Sequence, residues 1–190
     1  MNHDDQHSTA GEDYSDHLIV EQIVSGQKDL FRLLVRRYQR PVYGMGMSFF
    51  RNAEDASDFA QEVLLKVYRN LARFEGRSRF STWLYKIAYN TAVNGVNRRK
   101  EYVSLAEDGG SEAAHEDTPE RIAIRNAAKE AVLESLGELP ERYRVCIDLF
   151  FFYDRSYQEI EAITGFPVNT IKSHVFRAKK LLRERLERLA

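Results

Sequence analysis

Only one cysteine, Cys146, occurs in 190 residues, so no disulfide can form within the chain and a disulfide-stapled scaffold is excluded. Cys146 lies in the apolar run VCIDLFFFY and, lacking a partner that would make it a nucleophile, reads as buried core. No apolar run approaches the ~20 residues that cross a bilayer, and no signal peptide opens the chain. The expectation is a soluble, cytoplasmic protein without membrane insertion. No segment sustains apolar–polar alternation, so strands have no support. The five histidines, His3, His7, His17, His115 and His174, are dispersed, and no nucleophile–base motif accompanies them. An enzyme is therefore disfavoured, and neither a metal site nor a cofactor is expected. His3, Asp4, Asp5 and His7 could ligate a metal, but a solvated acidic tail over residues 1–16 is the stronger reading.

The formal net charge of −1 conceals charges sorted by position. Residues 1–16 hold acids and no Lys or Arg. From Lys66 to Lys100 the sign reverses, and only Glu75 interrupts the cations. Residues 101–120 are acidic again, and the chain after Val168 is basic. Two basic blocks around an acidic one suggest two polyanion-facing modules joined by a self-repelling spacer.

Apolar periodicity predicts helices throughout. His17 to about Phe50 reads as two helices separated at Gly26, with Pro41 able to kink the second. Asn52 caps a helix running through Phe59, Val63, Val67 and Leu71. Phe74 to Ser81 reads as a loop, and the stretch from Trp83 as another helix. Gly109, Gly110 and Ser111 mark a linker. Thr118-Pro119-Glu120 starts a helix that ends near Gly137. Pro140 opens the next, Ser156 and Glu159 form a capping box, and Asn169 caps the last helix. The fold class is all-α: a helical domain over 17–100, a flexible acidic linker over 101–118, and a second helical domain over 119–190.

The second domain contains a short helix, a turn at Gly165 and a longer basic helix, which is the helix-turn-helix arrangement. Thr170, Lys172, Ser173, His174, Phe176, Arg177 and Lys179 stand near the start of that helix, where side chains reach bases and phosphates in a major groove. Ile171, Val175, Ala178 and Leu182 form the packing face. A solvated bundle helix and a membrane-surface helix compete with this reading.

In the first domain, Phe74, Phe80, Trp83, Tyr85 and Tyr89 interleave with Arg73, Arg77, Arg79, Lys86, Arg98, Arg99 and Lys100. Aromatics among cations suit single-stranded nucleic acid, whose bases stack on rings while its backbone meets cations. A loop beside such a surface can pocket an extruded base. Trp83 is read as core on its own spacing, since it shares a face with Ile87.

DASDFAQEVLLKVYRNLARFEGRSRFSTWLYKIAYNTAVNGVNRRK resembles region 2 of bacterial extracytoplasmic-function sigma factors, and LPERYRVCIDLFFFYDRSYQEIEAITGFPVNTIKSHVFRAKKLLRERL resembles their region 4. The resemblance spans roughly Gly26 to Leu186. It implies a factor that binds core RNA polymerase and directs promoter-specific initiation. Asp55, Asp58, Gln61, Glu62 and Leu65 would dock on the β′ clamp, and the surface from Leu149 to Tyr153 on the β-flap. Phe74, Arg77, Ser78, Arg79, Phe80 and Trp83 would take a flipped base of the minus-10 element as single-stranded DNA. Lys86, Asn90, Asn94, Asn97, Arg98 and Arg99 would meet the opening duplex. Thr170, Lys172, Ser173, His174, Phe176, Arg177 and Lys179 would read the minus-35 duplex. An anti-sigma factor is a further implied partner. Departures from the family pattern are Glu161 in place of alanine, His174 in place of arginine, Asn94 in place of an acid, and Gly95 within a helix. The rival readings are a helix-turn-helix regulator acting without polymerase, and a helical interaction protein with solvated basic faces.

Overall fold

The structure, a computed structural model, describes residues 15–103, 132 and 135–189. The acidic tail, the linker and most of the helix expected from Thr118 lie outside the described residues. Among the described residues there is no strand. The helices are α1 (Asp16–Val24), α2 (Phe31–Phe50), α3 (Ala53–Asn70), α4 (Phe80–Val103), α5 (Glu141–Phe151), α6 (Tyr157–Thr164) and α7 (Val168–Leu189), and residues 135–137 are helical as well.

Local chemistry sets most of these boundaries. Ser15 and Asn52 cap α1 and α3 by accepting the Leu18 and Asp55 backbone N–H groups. Ser156 and Glu159 form the capping box of α6, and Gly165, at φ 76°, ends that helix in the left-handed conformation, which costs glycine little. Pro41 lies inside α2 without ending it.

Two expected boundaries are corrected. The loop after Phe74 ends at Arg79 rather than Ser81, because Phe80 stands four residues before Leu84 and prolongs the buried stripe of α4. The last helix begins at Val168, so Asn169 is inside it. Pro167 offers its carbonyl to the Ile171 N–H at 3.0 Å, and the free N–H of Val168 donates to Glu161 Oε1 at 3.1 Å. A carboxylate from the preceding helix thus caps the basic helix, where it also favours the dipole. This accounts for Glu161: its head group is exposed and used, and the helices are not forced apart.

In the first half, α2, α3 and α4 pack around Val42, Met45, Phe59, Val63, Val67, Phe80, Leu84, Ala88 and Ala92, with Ile19 and Ile23 of α1 closing one end. Burying each large apolar side chain here stabilises the fold by ~1.5–3 kcal/mol. At the α2–α3 crossing a Cβ on Gly46 would lie 2.8 Å from the Phe59 ring and 2.9 Å from Ala56 Cα, so only glycine fits. A Cβ on Gly95 would stand 3.1 Å from the tip of the Phe50 ring, so a larger residue there requires that ring to shift by a few tenths of an ångström. In the second half, α5, α6 and α7 enclose Val145, Cys146, Leu149, Ile160, Ile163, Ile171 and Val175. Cys146 is fully buried, and burial pushes its thiol up to about 12. The two halves are in contact through α2 with α5 and α4 with α6.

Candidate nucleic-acid interface

The basic helix α7 turns three classes of side chain in three directions. Ile171, Val175 and Ala178 face inward and are at most 2% exposed. Lys172, Phe176, Arg177 and Lys179 are exposed, Phe176 to 70%, and Thr170 and Ser173 are half-buried beside them. An apolar ring left in water among cations is an unusual surface for a solvated bundle helix, and it suits contact with base edges and thymine methyl groups. Lys172 and Lys179 lie toward the flank, with their ammonium groups 5.9 Å from the Tyr157 ring centroid and 4.7 Å from that of Phe151. Arg177 Nη1 donates to the Tyr143 hydroxyl at 3.2 Å, which orients the guanidinium at the helix surface.

His174 does not belong to this outward set. It is 9% exposed, packs against the rings of Tyr143 and Phe166 at centroid distances of 5.1 and 5.7 Å, and places Nδ1 3.7 Å from Cys146 Sγ. The reason is spacing: position 174 follows Ile171 by three residues and precedes Ala178 by four, so it shares their face. Burial, aided by the Arg142 and Arg177 charges, lowers its pKa and so favours the neutral imidazole. A charged arginine there would have to be desolvated, so the departure from arginine fits an inward-facing position.

The aromatic, basic region of the first half also divides. Arg77, Ser78 and Arg79 are exposed on the loop between α3 and α4, with Arg77 paired to Glu75 at 2.5 Å. Phe80 is 1% exposed and is therefore core. It contacts Tyr38, Phe74 and Trp83 at centroid distances of 5.5, 5.4 and 5.8 Å. Phe74 and Trp83 are half-buried against one another at 5.4 Å, with His17 on the far side of Phe74 at 5.1 Å. The loop is thus held at its two ends by rings while its cations remain in water. Along α4, Lys86, Asn90, Asn94, Asn97 and Arg98 are exposed at spacings of three and four, one continuous polar row leading away from that loop. Arg99 lies within α4, and its side chain is outside the described residues.

On α3, Asp58, Gln61, Glu62 and Leu65 are exposed along one face, and Asp55, half-buried, stands one turn earlier. Leu65 is 54% exposed and Tyr68 nearby is 38% exposed. Apolar groups in an acidic helical row give this face the composition of a docking surface. The surface expected between Leu149 and Tyr153 is narrower than the sequence implied. Leu149 is 1% exposed, whereas Phe151 and Phe152 are 52% and 64% exposed. The Tyr153 hydroxyl donates to the Pro41 carbonyl at 2.9 Å, so that residue is engaged with α2. Among the described residues no cluster of three or more His, Cys, Asp or Glu could hold a metal ion, and no helix is long and apolar enough to cross a membrane.

Residues 34–102, which carry the loop, α4 and the acidic face of α3, match the Sigma-70 region 2 model, and residues 129–182, which carry the helix-turn-helix, match Sigma-70, region 4. The chain belongs to the sigma-70 family. Relatives of similar length include the RNA polymerase sigma-H factor of Pseudomonas aeruginosa, 36% identical over 183 residues covering 92% of this chain and 95% of that protein. The ECF RNA polymerase sigma-E factor of Escherichia coli (strain K12) is 34% identical over 187 residues, covering 94% and 97%. Among solved structures, the fold is similar to the sigma factor RpoE crystallised with the anti-sigma factor NepR from Bartonella quintana, with a TM-score of 0.71, 24% identity and coverage of 83% of this chain and 96% of that one. It is also similar to CnrH in complex with the cytosolic domain of CnrY, with a TM-score of 0.67, 23% identity and coverage of 92% and 99%. Region 2 and region 4 hereafter denote the two matched segments.

Proposed function

We propose that this sigma-70 family chain binds core RNA polymerase and directs promoter-specific initiation in the cytoplasm, without catalysis of its own. The observation that carries the reading is the pairing of two unlike nucleic-acid surfaces in one chain: a cationic loop pinned by aromatic rings in region 2, and an outward-facing basic helix with exposed Phe176 in region 4. Duplex readers need only the second. Arg77, Ser78 and Arg79, with Phe74 and Trp83 as the wall behind them, are suited to an unpaired minus-10 base. The row from Lys86 to Arg98 tracks the adjacent backbone. Thr170, Lys172, Ser173, Phe176, Arg177 and Lys179 are suited to the minus-35 duplex, and His174 acts on that surface only by holding α7 in place. Free energy for strand opening comes from capture of the unpaired strand. The acidic face of α3 is assigned to the β′ clamp, exposed Phe151 and Phe152 to the β-flap, and an anti-sigma protein is a further partner.

Leu65 offers a clean test of the polymerase face, because it is exposed and contributes little to the core. Leu65→Ala should leave the melting temperature unchanged and weaken association with core polymerase about tenfold, which is ~1.4 kcal/mol, in a titration of labelled protein with purified core enzyme. Unchanged affinity would remove α3 from the interface.

A further inference from the structure

We propose that the cavity walled by the C-terminal end of α2, residues 136–138 and α5 binds a small organic anion, its carboxylate or phosphate head on Arg51 and Arg144 and its apolar body against Met47, Leu136 and Phe152. The cavity measures about 680 Å³, within the ~300–1,000 Å³ typical of small-molecule sites. Its wall joins those apolar side chains to a few polar ones, Ser48, Asp148 and the two arginines among them.

Arg144 is the group that lacks an answer within the protein. It is only 8% exposed, its Nη1 donates to the Gly137 carbonyl at 3.1 Å, and its Nε is buried with no hydrogen-bond partner. A guanidinium keeps its charge in a protein, and a buried charge without compensation is strongly destabilising. Arg51 deepens the imbalance. A Cβ on Gly137 would stand 3.4 Å from Arg51 Cζ, so the Gly137 backbone has one guanidinium beside it and the other on its carbonyl. Burial, together with the Arg51 charge, holds the Arg144 pKa below its ordinary value. Arg51 is itself held at φ 54°, a left-handed conformation that a non-glycine residue adopts at some cost.

The acids in the wall do not neutralise this pair. Glu138 is exposed and meets Arg185 Nη1 at 2.6 Å. Asp148 Oδ2 accepts from Ser48 Oγ at 2.5 Å, and burial outweighs that bond and the Arg144 charge, pushing its carboxyl up to about 6. A carboxylate that served as full counterion to a buried guanidinium would titrate below its usual range, not above it. Positive charge and an unused donor therefore remain in the wall. The planar fork of arginine matches carboxylate and phosphate oxygens. A neutral ligand would leave Arg144 uncompensated, and a cation would add to the repulsion.

The test titrates the isotope-labelled full chain with hydrocinnamate, phenyl phosphate, hydrocinnamyl alcohol and phenethylamine, which share a phenyl body and differ in charge. The amide resonances of Gly44, Ser48 and Gly137, all in the cavity wall, report occupancy. One or both anions should shift them saturably at millimolar concentrations, the tighter of the two identifying the head group. The alcohol and the amine should bind at least about tenfold more weakly, the scale of one charge-assisted hydrogen bond. Arg51→Asn removes a cation with a residue that tolerates the left-handed backbone; it should weaken anion binding by a similar factor and leave the rest of the spectrum in place. Arg144→Lys keeps the charge but loses the fork, and should also weaken binding; should that variant unfold, Arg51→Asn decides alone. No saturable shift with either anion, shifts confined to amides elsewhere, equal affinity for the alcohol, or unchanged affinity in Arg51→Asn would each overturn the proposal. Neither polymerase nor promoter enters the titration, so its outcome is separate from that of the sigma reading.

Discussion

Phe80→Ala is expected to cost region 2 about 3–5 kcal/mol, the range for emptying a buried aromatic site. Typical domains hold only ~5–15 kcal/mol in total, so urea or thermal denaturation should show a sharply lower midpoint or an unfolded domain. Phe80, Leu84, Ala88 and Ala92 recur every four residues on α4, and none is more than 1% exposed. The Phe80 ring is the point where Tyr38, Phe74 and Trp83 converge. Removing it releases the wall that orients the loop, so promoter opening fails because the domain fails. By contrast, Arg77→Ala and Ser78→Ala change exposed side chains and should alter stability by no more than ~0.5 kcal/mol while reducing minus-10 opening. A Phe80→Ala protein as stable as wild type, defective only in opening, would return Phe80 to the base-binding set.

The second large effect concerns α7. Arg177→Ala should weaken binding to a minus-35 duplex by ~1–3 kcal/mol and relax preference at one base position if the guanidinium makes a bidentate base contact. If it holds phosphate, loss should be uniform across sequences and the salt slope should fall by about one. Either outcome keeps Arg177 at the interface, and only unchanged affinity removes it. His174→Ala supplies the contrast. The residue is enclosed by Tyr143, Phe166 and Cys146, so its loss should lower the stability of region 4 while base preference stays as in wild type. These measurements require competition binding across a set of single-base variants at two salt concentrations.

What was legible in the sequence follows from what periodicity can carry. The all-helical class, the Asn52 cap, the capping box at Ser156 and Glu159, and the inward set Ile171, Val175 and Ala178 all depend on neighbours within a turn or two. His174 was legible by the same rule, since it stands three residues after Ile171, but its polarity drew it to the outward set. Phe80 poses the same conflict: ring chemistry among cations suggests a base contact, whereas its distance of four from Leu84 points to the core, where it is 1% exposed. Glu161 could not be read locally, because its partner, the Val168 N–H, lies across the turn. Nor could the Arg155, Glu159, Ser81 and Thr82 contacts, which join residues more than seventy positions apart.

Run-off transcription tests the central claim most directly: purified core polymerase with a library of genomic promoter fragments, in the presence and absence of this protein. The account predicts discrete transcripts that appear only when the protein is added, weaken with Leu65→Ala and Arg177→Ala, and vanish when Arg77, Ser78 and Arg79 are replaced together by alanine. Transcripts that are the same with and without the protein, alongside salt-dependent duplex binding by the protein alone, would contradict it and identify a regulator that acts without recruiting polymerase.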